Sequence, residues 1–140
     1  MRYNLSEYII YYMNYKKEII IRSIKILDIG YITVIYFILG LILAKLFDKY
    51  LGKFDKNKED KKSILRSILE LSLYLWFIGI VIYVVRNIVP LIPFPLNGVY
   101  GFDHLRVKEV TSATVFIISF MYFQQYYQDK IKYIFSKTNL

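Results

Sequence analysis

The 140-residue chain carries a formal charge of +8, is 56% hydrophobic and contains no cysteine. Its length suits one domain, and disulfides, thiolate metal sites and cysteine nucleophiles are excluded. The hydrophobic excess over the roughly 45–50% of soluble domains gathers into three charge-free runs, at 29–44, 71–85 and 110–128.

Residues 5–28 predict an amphipathic helix. Leu5, Tyr8, Ile9, Tyr12, Ile19, Ile20 and Leu27 share one face, while Glu7, Lys17, Glu18, Arg22, Lys25 and Asp28 share the other. A helix rich in Tyr and Lys suits the membrane–water interface. Gly30 marks a hinge to a first transmembrane span over 29–47. Within that span Gly40 and Ala44 form a small-xxx-small pair that admits a neighbouring helix.

Residues 48–63 read as a polar connector with six lysines and four acids. Ser63 is placed to cap the second span, 64–89. Glu70 lies one turn inside that span, four residues after Arg66, and the two are expected to pair. Residues 90–106 are of another kind. Pro90, Pro93 and Pro95 forbid a regular helix, and Asn97–Gly98 is a turn dipeptide. Yet Phe94, Tyr100 and their neighbours are apolar. This combination predicts a structured cap at the membrane interface, folded back on the bundle or on a partner.

Asp103 is placed to cap the third helix, with His104, Arg106 and Glu109 in its first turns. The third span is expected over 107–127 and a basic tail over 128–140. Arg86 and Glu109 would lie at similar depth and staple the second and third helices. The fold expected is therefore an all-α integral membrane bundle of three transmembrane helices, with an N-terminal amphipathic helix and a Pro/Gly-rich interfacial cap. The first loop and tail hold eleven Lys and Arg against eight on the other side, which places them in the cytoplasm.

The sequence points away from catalysis. One histidine and no cysteine leave no ordinary zinc site, and no P-loop, nucleophile elbow or dinucleotide fingerprint is present. Adjacent Asp103 and His104 on one helix diverge too far to act as base and orienter. No cofactor is expected. The expected partners are the lipid bilayer, other membrane or capsid proteins and further copies of the chain, rather than nucleic acid. Partner contacts are assigned to Pro93, Phe94, Pro95, Asn97, Gly98, Tyr100, Asp103, His104, Arg106 and Glu109, and helix pairing to Gly40, Ala44, Glu70 and Arg86.

Ile, Lys, Asn and Tyr dominate the composition while alanine occurs twice, the codon signature of an AT-rich genome. With this bias, the stretch PLIPFPLNGVYGFDHLRVKE at 90–109 resembles small multi-pass membrane proteins of giant nucleocytoplasmic DNA viruses. The resemblance covers about 20 residues and implies a structural component of an inner virion membrane or host endomembrane, joining lipid to capsid. A viroporin-like pore lined by Glu70, Arg86, Thr111 and Ser112, or an accessory subunit of a larger complex, are the alternative expectations.

Overall fold

The computed structural model describes residues 4–139; Met1–Tyr3 and Leu140, the two ends of the expected domain 1–140, lie outside the described residues. The described chain is helical and contains no strand.

Helix α1 runs from Leu5 to Leu51, about 70 Å at 1.5 Å per residue. It contains no proline, and it stops where Gly52 takes a positive φ of 74°, a conformation that glycine adopts freely. The expected division at Gly30 does not occur. A lone glycine costs a helix only about 1 kcal/mol, and no atom lies within 4 Å of the Gly30 Cβ direction to force a bend. The buried residues of α1 are Ile24, Asp28, Ile32, Tyr36, Gly40 and Ala44. This unbroken four-residue spacing winds slowly around the helix, so successive turns meet different partners.

The connector after α1 is more ordered than its composition suggests. Asp55 accepts from the Asn57 N–H at 2.9 Å and opens the short helix α2, Lys56–Asp60. Ser63 accepts from the Arg66 N–H at 3.3 Å and caps α3, Ile64–Ile88. Helices α1 and α3 are the two described helices long and apolar enough to cross a membrane. Only 6% of the most apolar 18-residue stretch of α3 is buried. A core helix of a water-soluble protein would hide such a surface.

A 3₁₀ turn, Val89–Leu91, ends α3 at Pro90. Two more such turns, Val99–Gly101 and His104–Arg106, shape the Pro/Gly cap. The third apolar run is not one helix. It is divided into α4, Lys108–Ser112, and α5, Thr114–Tyr122, by Ala113 in the left-handed region at φ 55°. It breaks again at Phe123–Gln124, where Gln124 is extended. The expected single span over 107–127 is therefore corrected to two short helices. The expected tail is a helix as well, α6, Gln125–Thr138, which buries Tyr127, Lys130, Tyr133 and Ile134 along one face.

The core lies between α1 and α5, where Phe116 and Phe120 are fully buried and stack at 5.2 Å. Gly40 sits at the closest approach. A Cβ there would meet Ser119 Oγ at 2.7 Å and the Phe120 nitrogen at 3.1 Å.

Candidate functional site

Polar side chains are gathered at the two ends of the bundle. At the cap end, His104 Nδ1 lies 2.7 Å from both carboxylate oxygens of Asp28. Asp28 is fully enclosed and His104 is 3% exposed. Since an ionised carboxylate only accepts, Nδ1–H is the donor. Asp28 comes from the middle of α1 and His104 from a turn 76 residues later, so the pair ties the cap to the bundle.

The cap is organised around this pair. Phe94 stacks on the His104 ring at 5.6 Å, and it packs on Phe102 at 6.0 Å and Tyr31 at 5.4 Å. The Tyr31 hydroxyl donates to the Pro93 carbonyl at 3.2 Å. Asn97 Oδ1 accepts the His104 backbone N–H at 2.9 Å. The turn then closes through Gly98, whose φ of 88° favours glycine and whose N–H meets the Phe102 carbonyl at 2.7 Å. Asp103 accepts the Leu105 N–H at 3.0 Å, capping the 3₁₀ turn rather than a long third helix.

The expected contact residues therefore divide. Pro93, Pro95, Asn97, Gly98, Tyr100, Arg106 and Glu109 are exposed, and Asp103 is half-buried. Phe94 and His104 point inward and support the cap from beneath. Around them Leu91, Tyr100 and Leu105 present apolar surface, each more than half exposed. Arg106 pairs with Asp103 at 3.4 Å. Arg86 is exposed, and among the described residues the expected Arg86–Glu109 staple is not one of the ion pairs.

At the opposite end, Lys130 of α6 reaches Glu59 of α2 at 3.2 Å and Glu70 of α3 at 3.0 Å. Lys62 reaches the same two carboxylates, Glu59 at 3.4 Å and Glu70 at 2.8 Å. Arg66 pairs with Glu70 at 3.2 Å. Both Lys130 and Glu59 are 3% exposed. Burial alone pushes the Glu59 carboxyl up, but the neighbouring Ser67 hydroxyl and the Lys130 and Lys62 ammonium groups hold it below its ordinary value. Ser67 Oγ and Glu59 Oε1 meet no hydrogen-bond partner at good angle, so we attribute the lowering chiefly to the ammonium charges. Burial likewise works against the Lys130 ammonium, and Glu70, with Tyr126 and Glu59, overcomes it and raises its pKa. Tyr133 donates to Asp60 at 2.5 Å, and the acceptor carboxylate pushes the phenol up to about 12.

Asp48 completes this end. Its two carboxylate oxygens accept the backbone N–H groups of Gln125 at 2.9 Å and Tyr126 at 3.1 Å. The first turn of α6 is thus capped from α1, satisfying donors that a helix start leaves open. The Gln124 side chain donates to the Phe120 carbonyl at 3.0 Å and accepts from the Tyr74 hydroxyl. Beside these contacts, an apolar groove of about 520 Å³ runs between α1 and α3, lined by Leu46, Phe47, Tyr50, Leu73, Tyr74 and Phe77.

The sequence pairs Glu70 with Arg66 but gives no sign that Lys62 and Lys130 converge on the same carboxylate, because Lys130 is 60 residues away. Asp28 is assigned from the sequence to the charged face of α1. The available signal was its place in the four-residue row from Ile24 to Ala44, together with the lone histidine.

Chemically, the Asp28–His104 pair has the orientation of a carboxylate that fixes an imidazole, but Nε2 is enclosed and has no hydrogen-bond partner. No cluster of three His, Asp or Glu groups that could hold a metal ion occurs among the described residues. The arrangement fixes a non-helical segment to a long helix and fixes α6 to the start of α3. Comparison with known proteins finds no matching family model, no matching curated protein and no matching solved structure.

Proposed function

We propose that the chain is a structural multi-pass membrane protein that organises lipid and docks on neighbouring proteins through its Pro/Gly cap. The observation that carries this reading is the construction of the cap. Phe94, His104 and Asp28 hold it from within, while Leu91, Pro93, Pro95, Tyr100 and Leu105 are left on its outer surface. A rigid apolar platform of this kind loses little conformational freedom when a partner covers it.

Three crossings are part of the proposal. Helices α1 and α3 supply two, and the α4–α5 segment supplies the third. The break within that segment is compatible with lipid, because Ala113 is fully enclosed by protein and irregular backbone at membrane depth must be covered. Glu70 is engaged by Lys62, Arg66 and Lys130, which favours a structural role for it over a pore-lining one. The AT-rich composition and the resemblance at 90–109 support a viral inner membrane as its site, and proteomics of purified particles tests that placement.

The docking role is tested with Tyr100→Glu and Leu105→Glu, two changes on the outer face of the cap. Both variants should remain in the membrane after alkaline carbonate extraction yet lose the proteins that co-purify with the native chain. Unchanged co-purification would remove the cap from the account. Ion flux in liposomes that Glu70→Gln abolishes would replace the scaffold with a pore.

A further inference from the structure

The first half of α1 leaves a second surface without a partner. Leu5, Tyr8, Tyr12, Tyr15, Ile19 and Ile26 are between 48% and 75% exposed. Their intervals are three, four, three, four and seven, the alternation of a heptad seam. At about 100° per residue they fall within an arc of about 80°. The alternation is that of a coiled-coil seam, set within a wider exposed apolar surface. Ile9, Ile10, Tyr11, Met13 and Leu27 are further exposed apolar residues beside it.

The seam also lies on the free side of the helix. Ile20, Ile21, Ile24, Asp28 and Ile29, the residues of this region that turn towards the bundle, are centred on roughly the opposite side of the axis. A second chain can therefore occupy the seam without displacing the cap. The one position out of pattern is Arg22, which reaches back to Glu18 at 2.7 Å and so is drawn aside from the seam.

We infer that the N-terminal half of α1 pairs with the same segment of a second copy as a parallel two-stranded coiled coil. The parallel arrangement rests on the membrane reading above, since two copies inserted in the same orientation present their N-termini on the same side. If each of the six side chains loses about 100 Å², two copies bury on the order of 1,200 Å², the lower limit for a stable interface. Tyrosine suits the seam because its ring is covered while its hydroxyl reaches water at the edge. A lipid surface is the competing occupant. Laying residues 5–28 flat on it would require a sharp bend near Gly30, whereas α1 is unbroken there and carries no proline to bend it.

The absence of cysteine makes the test direct. Tyr12→Cys and Ile19→Cys on the seam, and Asn14→Cys and Lys17→Cys off it, are made one at a time in the full chain, inserted in liposomes and oxidised. Vesicle flotation verifies insertion separately, so that failure of the membrane reading is distinguished from failure of the pairing. With insertion intact, the seam variants should give at least five-fold more disulfide-linked dimer than the others. Equal cross-linking at all four positions, or none at Tyr12 and Ile19, overturns the inference. So does a monomer whose seam cysteine is shielded from a water-soluble maleimide, because lipid then covers the face. As a second measurement, the doubly substituted Tyr12→Glu, Ile19→Glu chain should sediment in detergent at half the protein mass of the native chain; an unchanged mass overturns the inference as well.

Discussion

Replacing Lys130 by methionine keeps the length of the side chain and removes its charge. Two carboxylates then lose a partner, but unequally. Glu70 keeps Lys62 at 2.8 Å and Arg66 at 3.2 Å. Glu59, 3% exposed, keeps only Lys62 at 3.4 Å. The expected cost is that of stranding one buried charge, about 3–5 kcal/mol. Adding Glu59→Leu should recover most of it, since an apolar pair of similar volume replaces a buried ion pair at little cost. The pH dependence has its origin in the same geometry. In the native chain Glu59 is held below its ordinary value of 4.5, so its contribution is present above that value and fades as pH falls through the folded-state value. Lys130 is held above its ordinary 10.5, so its contribution is present below that value and is lost as pH rises through the folded-state value. In Lys130→Met the weakly compensated Glu59 takes up a proton more readily, and the deficit relative to the native chain should shrink as the medium is acidified below neutrality. Thermal unfolding in detergent, followed by helical circular dichroism between pH 4 and 8, measures both effects, with the pH limits set around the ordinary carboxylate range of about 4. A loss under about 1 kcal/mol, the level of an exposed pair, or a deficit independent of pH, would refute the reasoning.

Gly40→Ala should cost about 1–3 kcal/mol, because its Cβ meets Ser119 Oγ at 2.7 Å and helix backbone at 3.1 Å. Adding Ser119→Gly should return part of that loss in a double-mutant cycle, and simple additivity of the two changes would rule out the contact. Asp28→Ala leaves a buried imidazole donor unpaired, at about 1–3 kcal/mol. It should make the cap susceptible to chymotrypsin at Tyr100, and a native digestion pattern would show that the pair does not hold the cap. Asp48→Ala removes two hydrogen bonds from the start of α6. We expect a loss of about 1–2 kcal/mol, at the level of a helix cap, with faster amide exchange confined to the first turn of α6; unchanged exchange there would exclude the cap.

Local chemistry was legible in the sequence. Ser63 caps α3, Arg66 pairs with Glu70, and Pro90 divides α3 from the cap, because each effect is decided within four residues. Three features were not legible. Gly30 is a weak helix breaker that its helical flanks override. The break at Ala113 occurs at a residue with the highest helix propensity that is fully buried, so residue type does not account for it. The Asp28–His104 and Lys130–Glu59 pairs span 76 and 71 residues, and no periodicity carries such distances. The expected staple between Arg86 and Glu109 failed for the converse reason: similar depth does not set the azimuth of a side chain around its helix.

The clasp between α6 and α2 also orders events during synthesis. Glu59 and Glu70 leave the ribosome some 60 to 70 residues before Lys130, and until then only Lys62 and Arg66 neutralise them. Until α6 is made, the side of Glu59 and Glu70 that Lys130 later covers stays open to water. Helix α6 therefore works as a closing step: it completes the enclosure of Glu59, which is buried in the folded chain, while Glu70 stays partly open to solvent, and a nascent chain stalled before residue 130 remains open at that end.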